Sequence, residues 1–361
     1  MTERRTDVDL LVVGGGPAGL ATALHAARAG LEVTVFEQRA GTVDKACGEG
    51  LMPGAVAALA ALGVRPEGHE LRGVRYVAGH RRAVAAFRAG PGRGVRRTVL
   101  HAALREAALA AGVRIEHRTV RGVEQDGQGV VADGVRAAHL VAADGLHSPI
   151  RRALGLDRPH RARPRYGLRR HFALAPWSDH VEVHWARGAE AYVTPVADGL
   201  VGVAVLTAGR GSYDDHLAAF PELRERLSGA RPAGPVRGAG PLRRSAGART
   251  AGRVLLVGDA AGYVDALTGE GVALALAQAP AAVRAITGGD LTAYERDWRR
   301  LTRRYRRLTH ALLAATRPSP ARAALVPAAQ RLPWLFSAAV DALARPAGEC
   351  APEDGRRLPD G

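Results

Sequence analysis

Residues 14–37 contain the parts that a dinucleotide-binding turn requires. Gly14, Gly16 and Gly19 follow one short apolar run, and Glu37 comes at the end of the next one. Gly14 permits a tight turn, Gly16 lets the main chain approach a pyrophosphate, and Gly19 lets a helix pack closely on a strand. A carboxylate about 20 residues after the glycines accepts hydrogen bonds from an adenosine ribose and repels a 2′-phosphate. The predicted ligand is therefore FAD or NAD and not NADP.

The segments around these residues form a strand–turn–helix–strand unit. Residues 8–13 and 31–36 are apolar runs typical of buried strands, and the residues between them have helical spacing. In this context the glycine motif is a strong signal, because the helix N-terminus offers free N–H groups and partial positive charge to phosphates. The predicted cofactor site also includes residues that directly adjoin the glycines and the ribose-binding carboxylate: Pro17, Ala18, Gln38 and Arg39.

The loop after this unit holds two side chains that could do chemistry. Lys45 and Cys47 lie in KACGEGL, residues 45–51, and we predict them as candidate catalytic residues. A thiol near a cofactor could donate a proton to a substrate, and a lysine can shift its pKa readily when it is buried. Lys45 is the only lysine in a chain that otherwise uses arginine. The alternative for Cys47 is a small buried thiol at a tight turn. The alternative for Lys45 is that codon composition left a single lysine by chance.

Composition limits the class of protein. The chain has 361 residues and 47% hydrophobic residues, enough for about two domains of a globular protein. The net charge of +16 would suit nucleic acid, but the arginines are spread along the whole chain and no reading motif occurs. An aromatic content of 4% also argues against base stacking. We therefore expect a small-molecule substrate and no nucleic acid.

Cysteine usage and apolar segments indicate a cytoplasmic protein. Cys47 and Cys350 are the only cysteines, too few for a disulfide framework or a zinc site, and no metal site is predicted. No apolar stretch reaches the roughly 18 residues that a membrane span needs. The first apolar run continues directly into the glycine turn, so we interpret it as a strand and not as a signal peptide.

The hydrophobic pattern predicts an α/β fold with two types of sheet. Buried strands precede the glycine turn and residues 258–259, whereas residues 161–206 alternate with period two, which is typical of an antiparallel sheet. We predict a Rossmann-type FAD-binding domain, an inserted antiparallel substrate domain and C-terminal helices. The predicted boundaries are 1–70, 96–160 and 246–290 for the first domain, 71–95 and 161–245 for the second, 291–345 for the helices, and 346–361 for a disordered tail.

Three stretches between the motifs are assigned from their local pattern. Residues 113–123 read as a strand, residues 213–227 as a single helix, and the Pro/Gly-rich residues 231–240 as a linker.

Two further motifs carry a resemblance to a known superfamily. VAADGLHSPIRRALGL, residues 141–156, and RVLLVGDAAGYVDALTGEGVALALAQA, residues 253–279, together with GGGPAG, resemble the three motifs of the flavoprotein hydroxylases with the fold of p-hydroxybenzoate hydroxylase. Geranylgeranyl reductases form a branch of the same superfamily. Together the three motifs are specific for bound FAD, which is the cofactor that the resemblance implies.

The resemblance implies roles for the residues that match its motifs. Asp259, after Gly258, would hydrogen-bond the ribityl chain of FAD, and Asp144 with Gly145 would lie near the pyrophosphate. RTVLHAALREAALAAGV, residues 97–113, resembles the segment whose arginine touches the cofactor. The remaining implied contacts are Arg97 to the phosphates or the flavin edge, and the main-chain N–H groups of Gly269 and Gly271 to the flavin carbonyl beside N1.

The loop and the substrate sheet suggest different substrates. KACGEGL resembles the loop of the geranylgeranyl reductase branch, in which a cysteine lies close to the flavin. That branch also carries a YxWxFP motif, and here the matching residues 190–195, EAYVTP, keep only Pro195. Tyr192 and Thr194 are more polar than the family residues and would suit a ring with hydroxyl groups, so both are predicted to bind substrate.

These observations predict an FAD-dependent oxidoreductase. The first hypothesis is an NAD(P)H-dependent monooxygenase that hydroxylates an aromatic or polyketide-type molecule, and the second is a reductase of isoprenoid double bonds. No second glycine-rich strand–turn–helix unit occurs, so NAD(P)H would dock transiently or a separate reductase would supply electrons. A flavin halogenase is not favoured, because a WxWxIP motif is missing.

A third hypothesis, from outside enzymology, is a peripheral lipid-binding protein. The arginine-rich helix at residues 296–307 could contact anionic lipid. The favoured interpretation is that its Trp298 and Tyr305 face packs on the FAD-binding domain and leaves the arginines in water.

Overall fold

The structure is a computed structural model that describes residues 6–160, 163–316 and 319–346. Except for Pro346, the predicted tail lies outside these residues. The helices are α1 (Pro17–Arg28), α2 (Pro53–Ala61), α3 (Arg97–Ala110), α4 (Pro149–Ala153), α5 (Tyr213–Leu217), α6 (Pro221–Arg226), α7 (Gly271–Thr287), α8 (Leu291–Ala315), α9 (Ser319–Arg331) and α10 (Pro333–Ala344).

The strands include several that are only two or three residues long. They are β1 (Val8–Val13), β2 (Val33–Glu37), β3 (Gly50–Leu51), β4 (His69–Leu71), β5 (Gly73–Ala78), β6 (Arg81–Ala86), β7 (Gly92–Gly94), β8 (Arg114–His117), β9 (Glu124–Gln125), β10 (Val130–Ala132), β11 (Val135–Ala142), β12 (Asp157–Arg158), β13 (Tyr166–Ala173), β14 (His180–Ala186), β15 (Ala189–Ala197), β16 (Leu200–Thr207), β17 (Arg231–Pro232), β18 (Arg237–Ala239), β19 (Arg244–Ala246), β20 (Thr250–Ala251), β21 (Val254–Leu256) and β22 (Gly262–Tyr263).

The first sheet brings the three motifs to one edge. Its strand order is β20-β21-β11-β1-β2-β8, and β21, β11, β1, β2 and β8 pair in parallel. The central strands are apolar on both faces because helices cover both sides of the sheet. The carboxyl ends of β1, β11 and β21 are therefore neighbours. The three motifs thus follow three strands of one sheet.

The second sheet is mostly antiparallel. Its order is β17-β13-β16-β15-β14-β5-β6, with β18 paired to β13. The predicted antiparallel pairing is confirmed in β13 to β16. However, β5 pairs with β14 in parallel, so the sheet is mixed. Strands β5 and β6, which lie between α2 and α3 in the sequence, thus form one edge of the second sheet.

Three local predictions are corrected. The strand predicted over 113–123 covers only Arg114–His117, because the residues that follow leave the sheet. The helix predicted over 213–227 is two short helices, since Phe220 precedes a proline and has non-helical backbone angles, φ −123° and ψ 73°. The predicted linker 231–240 contains β17 and β18, whose main chains pair with the edge strand β13.

The C-terminal helices pack on both sheets. Trp298 and Tyr305 of α8 are 4% and 3% exposed, which confirms that this face is packed. Helix α8 lies against α7, whereas α9 and α10 contact β6 of the second sheet. Within the described residues, no helix is both long and apolar enough to cross a membrane.

Candidate functional site

The glycine turn places the N-terminus of α1 directly beside the end of β1. Gly14 has φ +108°, and a Cβ there would lie 2.3 Å from the Ala143 oxygen. A Cβ on Gly19 would lie 1.8 Å from the Gly14 oxygen. Gly258 packs against the first turn of α1, where a Cβ on Gly258 would lie 2.7 Å from the Ala18 Cβ. Side chains at these positions are excluded by contacts within the protein itself, as the sequence motif predicts.

Gly16 differs from these glycines because it faces open space. A Cβ there would meet only Arg97 Nη2, at 3.8 Å. Gly16 is the N-cap of α1, and no side chain caps the helix, so its first N–H groups are free. Gly16 and Arg97 thus border a space in which main-chain donors and a guanidinium are available to an anion.

Two buried polar atoms at this edge have no partner among the described residues. They are Arg97 Nε and Asp144 Oδ1, although Asp144 Oδ2 accepts a hydrogen bond from the Ile150 N–H at 3.2 Å. Buried polar atoms are normally hydrogen-bonded, so both indicate a polar ligand. A guanidinium donates well to phosphate oxygens. These residues fit the pyrophosphate of FAD.

Glu37 is held in place for ribose binding. Its Oε2 accepts a hydrogen bond from the Gly15 N–H at 2.7 Å, and its Oε1 accepts one from the Arg39 N–H at 3.0 Å. Each carboxylate oxygen can accept a second hydrogen bond, so the group can also bind hydroxyls. His101 and Arg105 of α3 line the same cavity. The sequence analysis missed these two residues, although they lie one and two helical turns after Arg97.

Charged groups from separate motifs meet near Asp259. Burial raises the pKa of the Asp259 carboxyl, and the charges of Lys45 and Arg97 oppose that rise. A Cβ on Gly145 would lie 3.4 Å from Lys45 Nζ. Burial, Arg39 and Arg97 lower the pKa of Lys45. Lys45 therefore lies beside the cofactor motifs, and its predicted catalytic role stays a prediction.

The loop that carries Cys47 is fixed by a buried contact between Glu49 and His171, which was not predicted from the sequence. Glu49 is 3% exposed, has φ 59°, and its Oε2 lies 2.6 Å from His171 Nε2. Its Oε1 accepts a hydrogen bond from the Arg97 N–H at 2.8 Å. The Glu49 N–H in turn contacts Cys47 Sγ at 3.4 Å. One carboxylate thus joins the cysteine loop, the start of α3 and the second sheet.

A second set of charges fixes the start of this loop. Arg169 of β13 is paired with Asp44 and donates to the Lys45 oxygen at 3.1 Å. Asp44 also pairs with Arg237 Nε at 3.1 Å. The second sheet therefore holds the loop over the edge of the first sheet.

Tyr192 and Thr194 brace loops with their hydroxyls. Thr194 Oγ1 donates to the Gly48 oxygen at 2.7 Å, and the Tyr192 hydroxyl donates to the Leu267 oxygen at 2.8 Å. Each hydroxyl has one hydrogen to donate, so neither can donate to a substrate as well. Their predicted role in binding a hydroxylated ring gains no support from these contacts.

Glu190, which replaces a family tyrosine, is fully buried and lies at the centre of a cluster of charges. Its oxygens lie 2.6 Å from Arg165 Nη2 and 2.7 Å from Arg322 Nη1. Arg165 also pairs with Asp265 at 3.2 Å. This cluster ties α9 to β15 and to the loop before α7.

Tyr263 is a candidate functional residue that the sequence analysis missed. It directly follows GDAAG, and a Cβ on Gly271 would lie 3.4 Å from its Cε2 and 3.7 Å from its hydroxyl. Burial raises the pKa of the phenol well above its usual value, with smaller effects from Asp259 and Cys47. Burial also raises the pKa of the Cys47 thiol. Both groups therefore keep their protons at neutral pH.

The two glycines that the resemblance assigns to the flavin carbonyl lie at the start of α7. The helix begins at Gly271, and Gly269 has φ +69°. Met52 Cε lies 4.0 Å from a Cβ position on Gly269. The N–H groups at this helix end carry partial positive charge and suit a flavin that becomes anionic.

Glu270 is a buried acid without a partner on one oxygen. It is 3% exposed, and within the described part of the chain its Oε2 has no hydrogen bond. Burial raises its pKa from 4.5 to about 8, although Arg304 opposes the shift. Below pH 4.5 both the folded and the unfolded chain carry the proton. Between these pH values only the folded chain keeps it, so the stability of the fold decreases as pH rises from 4.5 to about 8.

Glu270→Gln is expected to remove this decrease, because glutamine does not titrate. At pH 7 the free energy of unfolding of the variant should be about 3 kcal/mol higher than that of the wild type. Denaturant unfolding of the apoprotein across this pH range measures the effect. The exposed Glu32→Gln serves as the matched control. If the free energy of unfolding decreased with pH equally in the wild type and in Glu270→Gln, the raised pKa would not belong to Glu270.

Comparison with known proteins identifies the family. The model of the FAD binding domain family matches residues 7–204. The menaquinone reductase of Mycolicibacterium smegmatis is 31% identical over 331 residues, which cover 81% of this chain and 80% of that protein. Digeranylgeranylglycerophospholipid reductase 1 of Methanothermobacter thermautotrophicus is 28% identical and covers 80% of each chain.

Solved structures confirm the fold. The flavin-dependent brominase Bmp2 superposes with a TM-score of 0.81 at 18% identity, over 95% of this chain and 94% of that chain. The myxobacterial chondrochloren halogenase CndH gives 0.75 at 23% identity, over 95% and 92%. These identities show the shared architecture alone. With the family match and the reductase relatives, they lead to one conclusion: the chain belongs to the FAD binding domain family and is an FAD-dependent oxidoreductase.

Proposed function

We propose that the protein is an FAD-dependent reductase that adds hydrogen across a carbon–carbon double bond of an isoprenoid chain on a lipid. The observation that carries the proposal is the Cys47 loop, which Glu49 and Thr194 fix next to the start of α3 and Arg97. Relatives named as menaquinone reductase and digeranylgeranylglycerophospholipid reductase support it. Both named substrates are lipids with polyprenyl chains.

The residues of the site divide between cofactor binding and proton supply. Glu37, Arg97 and Asp259, with the glycine turn, would hold FAD, which when bound supplies two electrons as a hydride. Saturation of a double bond also requires a proton. Cys47 or Tyr263 would give that proton to the second carbon and regain one from water.

The surroundings of the site suit an apolar substrate. Leu267 and Met52 belong to an apolar cluster that extends along the second sheet, and Tyr192 packs against it. A ring with several hydroxyls would need polar partners there, and the hydroxyls of Tyr192 and Thr194 already donate to the main chain. We therefore place the reductase before the monooxygenase that the sequence analysis favours.

The electron donor is a separate proposal. The sequence has no second dinucleotide-binding unit, which supports transient docking of NAD(P)H or delivery by a separate reductase. Anaerobic reduction of the bound flavin by NADH, by NADPH or by neither distinguishes these donors.

Product mass tests the proposed reaction. The FAD-loaded protein, reduced with dithionite without O₂, is incubated with menaquinone or with a geranylgeranyl lipid, and the lipid is analysed by mass spectrometry. We expect products heavier by two hydrogen atoms for each reduced double bond. Unchanged lipid, together with oxygen insertion into a phenol under air with NAD(P)H, would favour the monooxygenase and overturn the proposal.

A further inference from the structure

The junction of α9 and α10 presents large apolar side chains to solvent. Leu332, Trp334 and Leu335 are 42%, 67% and 50% exposed. They lie within four consecutive residues, at the turn between the helices and in the first turn of α10. We call these residues the apolar corner. Grouped exposed apolar residues of this size mark a contact site, whereas single ones do not.

Helix α10 is apolar on its outer face as well as its inner face. Phe336 and Val340 are buried, whereas Ala338 and Ala339 continue the exposed face that begins at the apolar corner. Its one charged residue, Asp341, is 8% exposed and pairs with Arg88 at 3.2 Å. A helix that is apolar all round belongs in a protein core or in lipid.

Two basic groups lie beside the apolar corner. Arg331 precedes it and is exposed, whereas the nearby Arg88 is paired with Asp341. Gln330 Nε2 donates to the Arg82 oxygen at 2.8 Å, which places the exposed Arg81 on the neighbouring strand β6. Tryptophan and leucine beside arginines are typical of helices that lie in the interface of an anionic membrane.

An apolar path connects this corner with the cofactor motifs. The Phe336 ring is 4.6 Å from the Tyr76 ring. Phe336 and Leu267 belong to one buried apolar cluster, and Tyr76 and Met52 pack against it. Met52 Cε lies 4.0 Å from a Cβ position on Gly269, beside the predicted flavin contact. The helix that exposes Trp334 on one face thus packs on the path with its other face.

The arginine face of α8 is less suited to lipid. Three of its exposed arginines already pair with acidic neighbours: Arg296 with Asp290, Arg299 with Glu295 and Arg300 with Asp297. In the described residues 319–346 the only acidic side chain is Asp341, which is paired.

We propose that the apolar corner inserts into the headgroup and acyl boundary of an anionic bilayer. A polyprenyl chain in that bilayer would then approach the cofactor from the side on which α10 packs. The route of the chain rests on the proposed function, whereas the membrane contact itself does not.

Vesicle flotation of the full chain tests the membrane contact. The vesicles contain equal parts of phosphatidylglycerol and phosphatidylcholine, at moderate salt. The wild type should float with them, and the double variant Trp334→Ser/Leu335→Ser should lose at least about tenfold in partitioning, because two large apolar side chains no longer enter the lipid. Leu109→Ser removes an equally exposed leucine from α3 and should partition like the wild type.

Several results would overturn the proposal. They are failure of the wild type to float and equal flotation of the wild type and the double variant. A third contradicting result could come from sedimentation velocity. If the wild type were a dimer, and the double variant lost the dimer but floated like the wild type, the apolar corner would be a contact between copies of the chain. FAD content and Tm equal to the wild type verify that the variants fold.

Activity separates this inference from the proposed function. The double variant should reduce a detergent-dispersed substrate at the wild-type rate and lose at least about tenfold on a substrate in vesicles. Absence of reductase activity on both substrates in a wild type that floats would overturn the proposed function and leave the membrane contact standing.

Discussion

Gly16→Ala is expected to lose FAD while the apoprotein keeps its stability. Gly16 has φ −76° and ψ 179°, which alanine adopts without strain, and its Cβ would meet only Arg97 Nη2 at 3.8 Å. The added methyl would instead occupy the space through which a pyrophosphate approaches the main chain. We expect FAD affinity to fall by at least about 100-fold, and the free energy of unfolding to change by no more than about 1 kcal/mol.

Alanine variants of two other glycines serve as controls that distinguish loss of FAD binding from loss of stability. Gly19→Ala should destabilise the apoprotein strongly, because its Cβ would lie 1.8 Å from the Gly14 oxygen. Gly122→Ala should change neither property, since nothing lies within 4 Å of its Cβ position. Flavin fluorescence titration and thermal unfolding measure both properties. Retention of FAD by Gly16→Ala would show that the pyrophosphate does not lie at this turn.

Cys47→Ala is expected to lower kcat by about 10²-fold or more, while FAD binding stays within about threefold of the wild type. The thiol is held by the Glu49 N–H at 3.4 Å, and burial raises its pKa, so it has a proton to give near the cofactor. The loop itself is fixed by Glu49 and Thr194, so loss of the small side chain should leave it in place. Steady-state reduction of a geranylgeranyl lipid measures kcat.

Tyr263→Phe distinguishes the two candidate acids. The phenol packs on Gly271 at the start of α7, and removal of its hydroxyl leaves the ring in place. If Cys47 gives the proton, Tyr263→Phe should lower kcat by less than about tenfold. Full turnover in Cys47→Ala would exclude a catalytic role for the thiol. A large loss of kcat in Tyr263→Phe would then identify the phenol as the proton donor.

The cofactor cradle was predictable because its constraints are local. Gly14 and Gly19 are required by contacts of the turn with its own neighbouring strands, and the motif encodes those contacts directly. The order of β1, β11 and β21 follows from the rule that such motifs meet at the carboxyl ends of parallel strands. Glu37 is the last residue of β2, so the end of that strand fixes its position.

The catalytic surroundings depend on pairs that are distant along the chain. Glu49 and His171 are 122 residues apart, and their contact depends on the register of β13, which no local pattern shows. The acidic residue between two glycines in CGEG was the available signal. The burial of Glu270 and the exposure of Trp334 likewise depend on how α7 to α10 pack. By contrast, the break at Phe220 was readable from the proline that follows it.

Anaerobic reoxidation tests the central claim most directly. The FAD-loaded protein is reduced chemically, mixed with a geranylgeranyl lipid in the absence of O₂, and followed by the absorbance of oxidised flavin. We predict that this absorbance returns with the unsaturated lipid and does not return with its fully saturated counterpart. A flavin that stays reduced with both lipids, but is reoxidised by O₂ rapidly only when a phenol is present, would contradict the account.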